Sequence, residues 1–196
     1  MSNLIKDKSK KIILDAALSL FVKNGYSQTS MDDIVNLSGL SKGAIYHHYS
    51  SKKVLFLSLI DYWETFYFKD ILNKNISDCN PDDLLREISQ NVVIAFKSKK
   101  NIFLAELEFW SLSNYDNDVR ERIKLLYVKL LKLFKGIVRK GIDDKLYKNL
   151  NVDVAALSIM TTLQGVIWFS IFEESTISAE QYLNDVIEFI IFGFKK

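Results

Sequence analysis

The sequence predicts an all-α protein, and three observations support this prediction. Of the 196 residues 48% are apolar and the net charge is only +2, so the chain can bury a core and is not disordered. One proline and seven glycines supply little material for the turns of an all-β fold. Apolar residues recur at helical spacing. The single cysteine, Cys79, excludes a disulfide scaffold and indicates a reducing compartment.

Four helices are predicted in the first 75 residues. The first ends at Gly25, because glycine tolerates the left-handed conformation that terminates a helix. The second begins at Ser30, where Asp33 provides a shortened form of the capping box. Ser41 is the expected N-cap of the third. The predicted ranges are 6–24, 30–38, 42–49 and 52–75.

The second and third helices form a predicted helix-turn-helix, because only residues 38–41 separate them. In that unit the second helix enters the DNA major groove. Gly43 costs so short a helix about 0.5–1 kcal/mol relative to alanine. Close approach of the backbone to a partner explains it. Lys42, Tyr46 and His47 are predicted to project outward, and Ile45 inward. Lysine, tyrosine and helix N-termini are typical phosphate contacts.

Charge is distributed unevenly along the chain. Residues 1–53 contain eight lysines and four aspartates, whereas most aromatic residues follow residue 53. A basic head and an aromatic body are typical of a nucleic-acid binder with a separate sensing or assembly domain. We therefore predict a helix-turn-helix DNA-binding domain over 1–52 and a helical effector-binding and dimerisation domain over 53–196.

A dense set of short motifs lies between Ile13 and Leu57. The motifs are Ala16-Ala17 with Leu20-Phe21, Gly25-Tyr26, Thr29-Ser30-Met31 with Asp33-Ile34, Gly39-Leu40-Ser41-Lys42-Gly43, Ile45-Tyr46 with His48-Tyr49, and Ser51-Lys52 with Leu55. This stretch, about a quarter of the chain, resembles the N-terminal domain of the TetR family of bacterial transcriptional regulators. The resemblance implies a dimeric repressor that binds a palindromic DNA operator and whose divergent C-terminal domain binds a small inducer.

The same resemblance implies roles for individual residues of the head. Lys42 and Gly43 match base or backbone contacts, Tyr46 and His48 match phosphate contacts, and Lys52 matches a phosphate anchor at the start of the fourth helix. His47 and Ala44 match variable positions, and the pair His47-His48 and Tyr49 depart from the common pattern, which leaves the operator sequence open. The expected DNA-binding residues are Thr29, Ser30, Ser41, Lys42, Gly43, Ala44, Tyr46, His47, His48 and Lys52.

Five further helices bring the expected total to about nine. The long basic helix is predicted to end at Gly141, and its charged side is interpreted as a solvated face rather than a second DNA surface. The uncharged stretch 154–172 is long enough to span a membrane, but polar residues dilute it and acidic residues flank it, which favours a buried helix. The predicted ranges are 81–97, 102–113, 118–140, 152–173 and 178–194.

The last two helices are predicted to form a homodimer interface. The final helix has a broad apolar stripe that includes Leu183, Ile187 and Ile191, and its neighbour has small residues that permit close approach. Together they present more apolar surface than the core of one chain needs, and a twofold four-helix interface would cover it. The alternative is that both helices belong to the core of a single chain.

An effector pocket is predicted around Glu106, which shares a helix face with aromatic residues. A charge there needs a partner. Glu106 either forms a structural salt bridge with Arg86 or Arg122, or serves as a pocket carboxylate that selects a donor or cation on the ligand. The expected ligand-binding residues are Trp63, Phe66, Tyr67, Phe103, Glu106, Phe109, Trp110, Tyr127, Gln164 and Trp168.

The sequence argues against an enzyme. Both histidines lie in the DNA-binding head, and Glu106 and Glu108 point to nearly opposite sides of their helix. Adjacent helical histidines point about 100° apart, so His47 and His48 do not form a zinc site, and no metal or cofactor is expected. The start of the chain has no apolar signal-peptide stretch, so we expect a cytoplasmic protein without a membrane partner. Two functions stay open: a repressor released by a small apolar or aromatic effector, and a TetR-like DNA-binding or architectural protein with no effector.

Overall fold

A computed structural model describes residues 2–67, 69–98, 100–172 and 176–196. Side chains are described from residue 8 onward, except for 66–70, 99, 102 and 173–175. The described chain is all-helical, with nine helices and no strands, so the predicted fold class is confirmed.

The nine helices follow the predicted order. The helical segment Lys69–Leu72 and the 3-10 turn Ile76–Asp78 follow α4, and α8 continues through the 3-10 turn Gly165–Ile167 into Trp168–Ile171. The bounds are α1 Ser2–Asn24, α2 Met31–Ser38, α3 Lys42–His48, α4 Lys52–Tyr67, α5 Pro81–Ser98, α6 Lys100–Ser113, α7 Asn117–Asp143, α8 Val152–Gln164 and α9 Ala179–Phe194.

Two predicted helix features are wrong for identifiable reasons. Gly141 does not end α7, which continues to Asp143. A Cβ at residue 141 would lie 2.1 Å from the ring of Tyr147, so glycine is needed there to seat that buried ring on the helix. The helix predicted over 152–173 changes to a 3-10 turn at Gly165, where a Cβ would lie 2.8 Å from the Tyr182 hydroxyl.

The chain forms two compact units. The first contains residues 1–65 and 101–123, and the second contains residues 66–100 and 124–196. The first unit is larger than the predicted DNA-binding domain over 1–52, because Phe109 of α6 packs edge-to-face on Phe56 of α4, with ring centroids 5.1 Å apart. Its core is made by buried residues from all of the first four helices. They include Ile13, Ala17, Phe21, Ile34, Ile45 and Leu55. The division of function at residue 52 stays a prediction.

In the second unit α5 and α9 pack antiparallel, as shown by contacts in opposite chain order. The Arg86 guanidinium donates to both carboxylate oxygens of Glu188 at 2.6 and 3.0 Å. The Ser89 hydroxyl donates to the carbonyl of Leu183 at 3.0 Å. At the far end, the Lys97 ammonium lies 2.5 Å from Glu180. Beneath these contacts the predicted stripe of α9 is buried within the unit.

The segment Val152–Ile171 is long and apolar enough to cross a membrane by length and composition alone. Its small and branched residues, among them Ala155, Ala156 and Ile159, are buried inside the second unit. The opposite side of this segment exposes other apolar residues, among them Val154 and Leu157. It is therefore a helix with one side in the core of the second unit.

Candidate nucleic-acid interface

The helix-turn-helix is held in place by local caps. At the start of α2 the Asp33 N–H donates to Ser30 Oγ at 3.1 Å, and the Ser30 N–H donates to Asp33 Oδ2 at 2.8 Å. The Ser30 hydroxyl also donates to Asp33 Oδ2, at 2.6 Å, and this hydrogen bond together with the one from the Ser30 N–H lowers the pKa of the Asp33 carboxyl. Gly39 ends α2 with φ of +68°, and Ser41 Oγ accepts from the Ala44 N–H at 3.2 Å to start α3. The predicted capping box is therefore complete. The starts of α2 and α3 are each fixed by a serine that accepts from the N–H three residues later.

The outer face of α3 is exposed. Only Ile45 of this helix is buried, at the centre of the first unit, whereas Tyr46 and His47 are exposed. A Cβ added at Gly43 would have no atom within 4 Å. No contact within the described part of the chain therefore requires glycine at this position, which is the situation expected where a partner approaches the backbone.

Lys42 is held by two neighbours on this face. Its ammonium lies 2.7 Å from the carboxylate of Asp32 and 6.0 Å from the ring centroid of Tyr46. The hydrogen bond to Asp32 raises the pKa of the Lys42 ammonium. The predicted base-contacting cation is thus present at the surface and already paired in the free protein.

The remaining residues of the predicted interface differ in exposure. His48 and Ala44 are half-buried, while Ser30 and Ser41 are exposed at their caps. The ring centroids of His47 and His48 are 5.4 Å apart. Their contacts with DNA stay predictions.

Thr29 is a correction to the sequence-based set. Only 1% of this residue is exposed, and its hydroxyl donates to the carbonyls of Gly25 at 2.9 Å and Leu20 at 3.3 Å. A buried hydroxyl committed to two carbonyls fastens the α1–α2 turn and does not reach an external phosphate. Of the two residues predicted to contact phosphate here, Ser30 is the exposed one.

Lys52 has a structural role that sequence reasoning missed. Its ammonium donates to the carbonyls of Thr29 at 2.7 Å, Tyr26 at 2.8 Å and Ser27 at 3.4 Å. It also lies 4.4 Å from the ring centroid of Tyr26, and its partial burial lowers the pKa of the ammonium. In this structure the charge stabilises the α1–α2 turn, so its role as a phosphate anchor stays a prediction.

Two further contacts from outside the helix-turn-helix hold the same unit together. Glu108 of α6 accepts a hydrogen bond from the backbone N–H of Tyr26 at 3.0 Å. The Lys53 ammonium lies 2.8 Å from Asp116 and 2.6 Å from Asp118, and these two carboxylates raise its pKa. Sequence analysis excluded Glu108 from catalysis but gave it no role, because no local pattern links it to a turn 82 residues away.

Part of the predicted effector set forms an aromatic cluster in the first unit. Trp63, Phe103 and Phe109 are buried, and the rings of Trp63 and Phe109 are 6.3 Å apart. Glu106 is 4% exposed and interacts with another group of the protein. Trp110 is 43% exposed, which contradicts its predicted position inside this cluster, because it points away from the buried side of α6.

The other predicted effector residues belong to the second unit. Gln164 is half-buried, while Tyr127 and Trp168 are exposed in the second unit. Trp168 stacks on Phe172 with ring centroids 5.7 Å apart. The side chains of Phe66 and Tyr67 lie outside the described residues. The ten predicted positions are thus divided between the two units.

Comparison with known proteins identifies the family of this head. The family model "Bacterial regulatory proteins, tetR family" matches residues 13–59. The uncharacterized HTH-type transcriptional regulator YfiR of Bacillus subtilis is 39% identical over 143 residues, which are 71% of this chain and 68% of YfiR. The chain belongs to the TetR family. The resemblance inferred from the motifs is confirmed, and the chain is a TetR-family transcriptional regulator.

The TetR-family likeness extends beyond the head. The HTH-type transcriptional regulator QacR of Staphylococcus aureus is 24% identical over 196 residues, covering 98% of this chain and 99% of QacR. The crystal structure of AibR in complex with isovaleryl coenzyme A and operator DNA superposes with a TM-score of 0.72 at 17% identity, covering 92% of this chain and 97% of AibR. Relatives of this kind are transcriptional regulators, which are not enzymes.

Proposed function

We propose that this TetR-family regulator is a homodimeric cytoplasmic repressor that binds a palindromic operator and is released by a small apolar or aromatic effector. The observation that carries the DNA-binding part is the outer face of α3. It presents a cation, an aromatic hydroxyl and an imidazole around a glycine with open space above it.

This face suits a helix lying in the major groove. Gly43 lets the backbone of α3 approach the DNA, and Lys42 is placed to donate to base acceptors or a phosphate. Tyr46 and His48 would bind phosphates. His47 and Ala44 would tune operator choice, as the family resemblance implies. The starts of α2 and α3 add the partial positive charge of helix N-termini, which favours phosphates there.

A palindromic site needs two linked heads, and the second unit offers a surface for a second copy. In α9 the aromatic residues Phe189 and Phe192 are 73% and 82% exposed. In the neighbouring segment Trp168 is 62% exposed, and Val154 and Leu157 are exposed as well. Large apolar side chains left in water on two helices of one unit are typical of an interface. The predicted dimer therefore uses these residues and not the buried stripe of α9.

The effector part of the proposal is supported by the aromatic cluster around Glu106. Trp63, Phe103 and Phe109 provide apolar and aromatic surface, and the buried carboxylate provides one polar group of the kind that fixes a ligand's orientation. AibR, a structural neighbour, is a precedent in which one protein is seen with both a small molecule and operator DNA.

The test begins with the DNA. Wild-type protein selects binders from a randomised duplex pool, and the enriched sequence is used in binding assays and in a reporter strain. We expect a palindromic site whose half-sites are about one helical turn apart, or a multiple of it, and lower reporter expression when the protein is present. No enrichment above the random pool would refute the DNA-binding proposal.

The second stage tests the effector. Apolar and aromatic compounds are screened for those that release the protein from the selected duplex and raise its melting temperature. If no compound of this class shifts binding, the alternative of a DNA-binding or architectural protein without an effector replaces the repressor described above.

A further inference from the structure

We propose that Asp32 is a specificity-determining residue of the DNA-binding face: its carboxylate holds Lys42 and weakens binding to non-operator DNA more than binding to the operator. The inference rests on the proposed function, in which Lys42 contacts DNA. It starts from one contact, the 2.7 Å ion pair between these two side chains, which are 67% and 61% exposed.

Helix capping does not account for Asp32. The start of α2 is already satisfied by the reciprocal hydrogen bonds of Ser30 and Asp33. Asp32 takes no part in this capping box, and its carboxylate reaches across to the first residue of α3 instead. An acidic side chain on a face that approaches phosphates opposes binding, because like charges repel. The helix dipole favours an acidic residue in the first turn of α2, but it does not require one that pairs with Lys42 on the DNA-binding face.

The ion pair affects the two kinds of DNA differently. Non-specific affinity comes from lysines that neutralise phosphates and release counterions. When Lys42 is paired with Asp32, it adds little to the non-specific affinity, and the carboxylate repels any phosphate that comes near. At the operator, base acceptors in the major groove replace the carboxylate in a fixed register, so the loss of the ion pair is compensated there. The expected result is a larger ratio of operator to non-specific affinity.

The surroundings of Lys42 also fix the direction of its side chain. Asp32 lies on one side of the ammonium, and the Tyr46 ring lies 6.0 Å away. A long lysine side chain held by two neighbours loses less rotamer freedom when it binds a base than a free one does. Removal of Asp32 should therefore favour phosphate contacts by Lys42 over the base contact.

The experiment compares wild type, Asp32→Asn, Lys42→Ala and the double variant Asp32→Asn/Lys42→Ala. Asparagine keeps the shape of the side chain and removes its charge. The two DNAs are the duplex selected from the random pool by wild type and a duplex of scrambled sequence. Dissociation constants are measured between about 50 and 200 mM KCl, the range over which phosphate contacts change affinity strongly. Asp143→Asn, which removes an exposed charge from the second unit, is the matched control.

We expect Asp32→Asn to bind the scrambled duplex about threefold to tenfold more tightly, with a salt slope steeper by about 0.9. Affinity for the selected duplex should change less, so the specificity ratio falls. The effect should be smaller in the Lys42→Ala background, where only the repulsion between the carboxylate and phosphates is removed, and Asp143→Asn should match wild type. An unchanged specificity ratio, or an equal change on both duplexes, would overturn the role of Asp32. Failure of wild type to select any duplex would refute the proposed function itself, which is a different result.

Discussion

At residue 43 α3 has a glycine that no contact among the described residues requires. We predict that Gly43→Leu abolishes binding to the selected duplex, because its side chain would stand between the helix backbone and the DNA. Since the site is open, the protein should fold normally. Gly43→Ala is the graded control and should stabilise the protein by about 0.5–1 kcal/mol. Binding is measured by fluorescence anisotropy, and stability by urea unfolding. Tight binding by Gly43→Leu would show that α3 does not approach DNA at this point.

Lys52 is the second test at the scale of single residues. Lys52→Ala removes a cation from three carbonyls of the α1–α2 turn, and we expect a loss of about 1–3 kcal/mol in the free energy of unfolding. Binding should weaken equally for all DNA sequences. The salt dependence of binding decides between two roles: a slope shallower by about one indicates a lost phosphate contact, and an unchanged slope indicates a purely structural role. An unchanged free energy of unfolding would contradict the role seen in the structure.

Among the elements, α6 makes a polar contact with the α1–α2 turn through Glu108. We predict that Glu108→Ala exposes the Tyr26 N–H and speeds its hydrogen exchange, because the only acceptor described for this donor is the Glu108 carboxylate. Glu108→Gln keeps an acceptor oxygen and should retain most of the protection. Both variants are compared by amide hydrogen exchange. Equal exchange at Tyr26 in wild type and Glu108→Ala would show that the contact does not persist in solution.

The helices themselves were largely predictable, and their distant contacts were not. Ser30, Gly39 and Ser41 could be assigned as caps because a cap and its partner are only a few residues apart in sequence. The seat of the Tyr147 ring on Gly141 could not be predicted, because a glycine near the end of a helical pattern resembles a terminator. The ring that requires this glycine belongs to Tyr147, which follows the end of the helix at Asp143.

The candidate site shows the same limit. The outward residues of α3 followed from helical periodicity, and the family resemblance assigned their roles. Exposure of Thr29 and the partners of Lys52 depend on how the α1–α2 turn folds against α4, which periodicity does not specify. The position of Trp110 failed for a related reason, since an aromatic residue beside a buried carboxylate can still face water.

For the whole molecule, the exposed aromatic residues of α9 lead to a test of assembly. We predict that Phe189→Glu yields folded monomers, because residue 189 is exposed in the single chain and a buried charge at an interface is costly. Monomers should bind a palindromic duplex weakly, since the two half-sites are no longer read by linked heads. Sedimentation velocity measures the assembly, and circular dichroism the fold.

Ile187→Glu is the contrasting variant on the same helix. Ile187 is only 2% exposed within its own chain, so a charge there should unfold the second unit and not merely separate two copies. A Phe189→Glu protein that sediments as an unperturbed dimer would place the interface elsewhere.

The construction of α3 has an evolutionary consequence. A single buried residue, Ile45, anchors this helix in the core, and the caps at Ser41 and Tyr49 fix its ends. Positions 46 and 47, which are exposed, are therefore released from the demands of folding. A gene that encodes such a helix can accumulate substitutions at these two positions and acquire new target sequences while the scaffold keeps its stability. Few mutations are then enough to change the target sequence, and duplicated copies can come to control different genes while they keep the same fold.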